Sequence, residues 1–424
     1  MVAALNITRQ RQKTVGRHDT VEPVVPDAID VSDVRVRRLR YLVYALALMS
    51  SLLQSAIAPL LPSYEHRFQL AGVQTAGLLA ATGVAALFIS LPAGALSDRF
   101  GARSLTLCSG WLIVFATLGQ AFAPSYPLLL VSRLLFGLGY GIVWTAALTW
   151  LARASDDESS LTGTITASGF GSIAGPAFAG FIAQYFGLAA PFVVAAVLTV
   201  VVTLLMTSIH LEGASSLEHI GVISSVRTAS CDLRILGAAL AVVIAGASSA
   251  LVTLLGPLEL HQSGASESSI GIVFSAAAAV FICGSAITKR AGLRAVRLKT
   301  VLGAGVVLAL VMSPATASAA PLFVVVMLCA TAAVRSVLWS VGYPLGASGA
   351  NRAGVGLGVV MGMLNLVWAL ATVVSPLVAG AFIGPLGARA TTAVAQVVLG
   401  AALVVGWLAF HVRSPEREVQ IGHL

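Results

Sequence analysis

The chain has 424 residues, 58% of them hydrophobic and only 10% charged, with a mean hydropathy of +0.93. A soluble domain carries about 25% charged residues, so an ordinary water-soluble enzyme or binding module is excluded. The net charge of +8 would suit a nucleic-acid partner, but the placement of its cations accounts for it without one.

A bilayer core of about 30 Å needs roughly 20 apolar residues per helix, and the chain supplies twelve such runs. Residues 1–40 form a polar tail, too long for a signal-peptide leader, and are expected to be a disordered cytoplasmic arm. The first run, 41–61, carries a polar face of Tyr44, Ser51 and Gln54 and leads into "APLLPSY" (58–64). Run 73–96 ends in a charged turn, "GALSDRFGARSL", from Gly94 to Leu105. There Gly94 lets the helix approach a neighbour and Gly101 permits the turn. Asp98 is an acid where topology calls for bases. It suits a helix amino terminus, where unpaired N–H groups gather, and the start of the eleventh helix, near Gly349 to Gly354, lies on the same side.

Run 105–123 is followed by 126–151, in which Arg133 shares a helical face with Gly137, Tyr140 and Trp144. Run 161–186 holds "GSIAGPAFAG" (171–180). Gly171 and Gly175 allow close helix contact, and Pro176 bends the helix. Run 189–209 and a polar link, 210–234, complete the first half. Run 235–258 has Glu259 just past its end, and runs 268–288 and 300–317 follow. Run 320–347 places Arg335 mid-way, with Trp339 and Gly342 on its face. Run 354–383 steps through Gly354, Gly358 and Gly362 before Pro376, and presents Asn365, Trp368 and Thr372. Run 389–410 and a cytoplasmic tail, 411–424, end the chain.

With the amino terminus inside, 21 of the 25 Lys and Arg fall in cytoplasmic tails and loops. Only Arg67 and Arg389 fall outside, and Arg133 and Arg335 lie within spans. This is the bias that fixes topology, and it puts both termini in the cytoplasm. The four cysteines, Cys108, Cys231, Cys283 and Cys329, have no metal-binding spacing, and those within spans act as small hydrophobes. No disulfide, metal or cofactor is expected.

The two halves resemble each other. "SDRFGAR" (97–103) aligns with "TKRAGLR" (288–294), and "GPAFAGFIAQYFG" (175–187) with "SPLVAGAFIGPLG" (375–387), at similar offsets. The expected fold is all-α, with 12 transmembrane helices in two pseudo-symmetric six-helix bundles, 41–209 and 235–410. Parallel repeats of this kind are a transporter architecture, with the substrate held near mid-membrane between them.

Several of these segments resemble one family. "GALSDRFGAR" is similar to the signature between helices two and three of the major facilitator superfamily, G-x-L-[SA]-D-R-x-G-x-[RK]. "RLLFGLGYG" (133–141) is similar to its helix-four pattern, R-x-x-x-G-x-x-x-G. "GSIAGPAFAG", with Ala179 in place of the first of two final glycines, and "APLLPSY" resemble its drug/proton antiporter branch. The resemblance implies alternating access by a monomer, and antiport ahead of symport. It also implies that Gly94, Asp98, Arg99, Gly101 and Arg103 latch the halves in the outward-facing state, and that Arg133 takes part in proton transfer.

An ionisable residue inside a membrane marks a candidate site, because burying it costs several kcal/mol. Tyr44, Gln54, Arg133, Tyr140, Trp144, Arg335, Trp339, Asn365 and Trp368 are expected to line one central cavity. Gly171, Gly175, Pro176, Gly354, Gly358 and Gly362 are expected to form a packing seam on which the halves rock. All 17 Asp and Glu lie in tails, loops or span ends. Glu65 and Glu259, nearest the membrane, join Arg133 as proton-coupling candidates. Many drug/proton antiporters carry a mid-membrane acid in helix one or four, and this chain has none. That favours an anionic, zwitterionic or neutral substrate over a cation.

No nucleophile elbow, His/Asp/Glu cluster or phosphate-binding G-x-x-x-x-G-K-[ST] occurs, which speaks against an enzyme and against an ATP-driven pump. The expected function is proton-coupled efflux of a small organic molecule or drug. The alternative is an uptake symporter or uniporter of an organic anion or other polar metabolite. The 22 arginines against 3 lysines suggest a GC-rich bacterial genome, hence a plasma-membrane location.

Overall fold

A computed structural model describes residues 31–154, 159–210, 232–290, 321–355 and 357–413, together with helical Val301, Gly303, Ala304, Val306 and Val307. In chain order the helices are α1 (Val31–Phe68), α2 (Gly72–Phe100), α3 (Ala102–Ala121) and α4 (Tyr126–Ile142). A π-helical turn, Val143–Ala147, carries α4 into α5 (Leu148–Ala154). Then come α6 (Ser159–Phe186), α7 (Ala190–Thr207), α8 (Leu233–Gln262), α9 (Glu267–Arg290), α10 (Pro321–Ala353) and α11 (Leu357–Arg413). No strand occurs among the described residues. Lipid offers backbone groups no water, so a chain this apolar satisfies them within helices. Ten stretches of the described residues are long and apolar enough to cross a membrane.

Three boundaries differ from the sequence reading. Residues 31–40, expected to belong to the tail, continue α1. They contain no helix breaker, and Leu39 is fully buried while Arg35, Arg37 and Arg38 stay exposed. The charged turn contracts to a single residue: α2 runs on to Phe100, and Gly101, at φ 85°, alone redirects the chain into α3. α11 is two helices joined at Gly387, whose φ of 79° and ψ of 163° interrupt the helical path. The expected run 389–410 lies beyond that bend. Run 300–317 falls mostly outside the described residues, as does the link 210–234 apart from His210 and its last three residues. Of these, Asp232 caps α8, its Oδ1 accepting from the backbone N–H of Arg234 (2.8 Å) and Ile235 (3.3 Å).

The helices form two groups. In the first, α1 packs along α6, α2 along α4, and α3 against both α4 and α7. In the second, α8 packs on α10 and α11, and α9 on α10. Between the groups, α2 meets α11 and α6 meets α9. With run 300–317 counted, each pairing sets the second helix of one half on the fifth of the other. The aligned residues Gly187 and Gly387 both take positive φ, 88° and 79°, so the matched helices end on the same device. We call the face where α1 begins proximal and the face at Phe68 distal.

Candidate functional site

The bundles are sealed together at the distal face. A Cβ on Gly72 would lie 2.5 Å from the Gly380 carbonyl oxygen, and one on Gly380 would lie 2.6 Å from that of Gly72. In the related pairing, Gly180 lies against the backbone of Glu267 and Gly271 against that of Pro176. Hydrogen bonds cross at the same level. Ser63 Oγ donates to Glu267 Oε1 (2.5 Å), the Ser268 N–H to Gln184 Oε1 (3.3 Å) and the Ala177 N–H to Ser275 Oγ (3.0 Å).

The glycines singled out from sequence divide between other tasks. Gly171 sits against Leu48 and Gly175 against Leu52 and Ser55, all on α1, so this pair knits the first bundle rather than joining the two. Gly354, at φ 65°, ends α10, where the Val355 N–H donates to Ala350 O (3.1 Å). It is a turn residue, not a packing one. The surroundings of Gly358 and Gly362 lie outside the described residues. The contact between bundles falls at Pro176, Gly180 and Gly380. Its positions could have been found in the aligned repeat, which matches Gly180 to Gly380.

At the proximal end of α2, the surroundings of Gly94 and the side chain of Asp98 also lie outside the described residues. Arg99 is exposed, its guanidinium 5.2 Å from the Phe100 ring centroid. Arg103 is committed to its own bundle: Nε donates to Ile209 O (2.6 Å) and Nη2 to Thr207 O (2.7 Å). It thereby serves carbonyls that the end of α7 leaves open, where a cation is favoured. No local pattern in the sequence pointed to that pairing, which joins residues more than a hundred positions apart.

Arg133 leaves the cavity set. It is fully buried inside the first bundle, with Nε donating to Leu78 O of α2 (3.2 Å) and Nη1 to Gln120 Oε1 of α3 (3.4 Å). Its Nη2 has no hydrogen-bond partner among the described residues. The reason lies one turn on, where a Cβ on Gly137 would meet Thr82 O of α2 at 2.5 Å. This face of α4 packs on α2. Tyr44 also stays within the bundle, against Gly163 of α6. Tyr140 and Trp144 are half-buried, with ring centroids 6.2 Å apart. Trp144 sits in the π turn, a feature frequent at functional sites, and Gln54 Oε1 has no hydrogen-bond partner among the described residues.

The second bundle gathers its candidates more tightly. Arg335 is half-buried mid-way along α10, and neither hydrogen bond nor ion pair reaches its guanidinium among the described residues. Its Cζ lies 5.9 Å from the ring centroid of Phe281 on α9, a residue that sequence reading passed over as one more apolar side chain. One turn further, Trp339 lies 5.0 Å from Tyr343 and meets Trp368 of α11 edge-on at 6.1 Å. The Tyr343 hydroxyl donates to Asn365 Oδ1 (2.9 Å).

Both candidate carboxylates are distal. Glu65 Oε2, two residues beyond Ser63, is buried without a hydrogen-bond partner among the described residues. Glu259 is only 6% exposed and accepts from Thr392 Oγ1 (2.5 Å). It borders a cavity of about 220 Å³ shared with Gln262, Ser263, Val324 and Arg389. Among the described residues no group of His, Cys, Asp and Glu could hold a metal ion.

Residues 43–372 match the family described as Major Facilitator Superfamily. The MFS-type transporter ppzB of Metarhizium majus is 36% identical over 154 residues, 34% of this chain and 34% of that one. The multi-drug resistance efflux pump PmrA homolog of Lactococcus lactis is 31% identical over 163 residues, 36% of this chain and 39% of that one. The chain thus matches little more than a third of the length of these curated relatives. A bacterial homolog of the human lysosomal transporter Spinster, solved in an inward-facing and unoccupied conformation, superposes with a TM-score of 0.73 at 14% identity. That match covers 91% of this chain and 99% of the other.

Proposed function

The chain belongs to the Major Facilitator Superfamily, and from that premise we propose that it exports a small organic molecule by alternating access, against an inward flow of protons. The observation that carries this reading is the distal seal. Two symmetry-related pairs of helices close one face through contacts between small residues, while Gln54 Oε1 on α1 and Arg335 Nε on α10 have no hydrogen-bond partner among the described residues. The excess of Lys and Arg on proximal segments supports a cytoplasmic proximal face; on that reading this pose is inward-facing, and the proposed location is the plasma membrane. The latch at Asp98 then acts in the opposite pose. Likeness to an efflux pump and the "GSIAGPAFAG" pattern support export. Glu65 is the carboxylate best placed to carry the proton, because it lies beside the seal that must open.

Proteoliposomes with an imposed pH gradient test the reading. Substrate moving out against protons moving in supports it. Substrate and protons moving together would favour the uptake symporter, and transport without proton flux a uniporter. A protein that moves no compound from a panel of charged and neutral drugs and metabolites would refute transport itself.

A further inference from the structure

Building on the transporter reading, we propose that the substrate is a planar organic anion and that the second bundle holds it, with the Arg335 guanidinium taking its carboxylate. Once Arg133 is placed inside the first bundle, Arg335 is the cation left at mid-helix among the candidates. Placing a guanidinium at that depth is costly, and buried charges are normally compensated by a partner. None is built in. α10 and α11 contain no Asp or Glu, the one acid of α9 is Glu267 in its first turn, and Glu259 sits at the distal end of α8. Phe281 offers its ring face, which attracts a cation but does not neutralise it.

The rest of the site is donors and flat surfaces. Asn365 has its carbonyl oxygen occupied by Tyr343, which leaves its NH₂ group to donate. Trp339, Tyr343 and Trp368 cluster around the same level, tilted or edge-on to one another. A guanidinium fork matches a carboxylate through two parallel hydrogen bonds, and the rings would cover an aromatic body. A cation would find no counter-charge, and a zwitterion would leave its ammonium unpaired.

The full chain in lipid nanodiscs, titrated by quenching of its tryptophan fluorescence, reads this directly with three probes. They are salicylate, its neutral relative salicylamide, and the cation benzyltrimethylammonium. Salicylate is expected to bind most tightly. Arg335→Gln should weaken salicylate roughly tenfold or more, as expected for loss of a charge-assisted pair, while salicylamide binds as before, which also shows that the variant is folded. Arg335→Lys should fall between. Equal binding of salicylate and salicylamide, preference for the cation, or Arg335→Gln losing both probes or neither would overturn the proposal. If salicylate fails to bind while proteoliposomes move another compound, the substrate class is wrong and the transporter reading stands. If salicylate binds in the expected pattern and nothing is moved, transport is what fails.

Discussion

Gly72 and Gly380 pass each other backbone to backbone across the two bundles, each with the other's carbonyl oxygen where its own Cβ would stand, at 2.5 and 2.6 Å. A methyl group on either does not fit the distal seal. Overpacking costs about 1–3 kcal/mol, and each 1.4 kcal/mol changes a conformer ratio tenfold. Gly380→Ala is therefore expected to shift the protein toward the distally open pose. Spin labels at the exposed positions Val73 and Phe382 should report a longer distance; an unchanged distribution would show that the seal does not depend on this contact.

Arg103 and Asp98 should respond differently to removal. Hydrogen bonds to charged groups contribute about 1.5–3 kcal/mol, less where water competes, and those of Arg103 go to Thr207 at the end of α7 and to Ile209 and His210 just beyond it, all in its own bundle. Arg103→Ala should lower the melting temperature of the solubilised protein and leave the Val73–Phe382 distance alone. Asp98→Asn should do the reverse, favouring the distally closed pose if the acid stabilises the outward-facing one. A shift in distance with Arg103→Ala would return it to the latch.

Arg133→Gln is expected to destabilise the fold by about 1–3 kcal/mol, because Leu78 O and Gln120 lose a buried donor. Since the side chain is sealed inside the first bundle, salicylate affinity should not change. A loss of affinity at constant melting temperature would put Arg133 back in the cavity.

The two distal carboxylates separate by coupling. Glu65→Gln should abolish proton-driven accumulation while leaving exchange of substrate across the membrane intact. Glu259→Gln and Thr392→Val should each lower stability by about 1 kcal/mol, a typical hydrogen-bond loss, and keep the coupling. If Glu259→Gln instead uncouples transport, the proton site belongs to the second bundle.

How much of this was legible beforehand depends on the range of the signal. Gly101 was readable because a turn is dictated within a few residues. Arg133 was misplaced because its period-3.6 face was read correctly but its partner was not. The face it shares with Gly137 is buried on α2, and a helix wheel does not say which neighbour occupies which face. Phe281 gave no signal, since among so many apolar residues nothing marks the one that lies beside a guanidinium.

The sequence by itself determined the all-helical membrane class and displayed the repeat, because run length and composition act locally against the bilayer. Only the tertiary structure decided which glycines touch across the bundles, that Arg103 serves the end of α7, and that Arg133 is sealed inside the first bundle while Arg335 lies beside Phe281. Those outcomes depend on close packing between residues far apart in the chain, where a fraction of an ångström separates a contact from a clash.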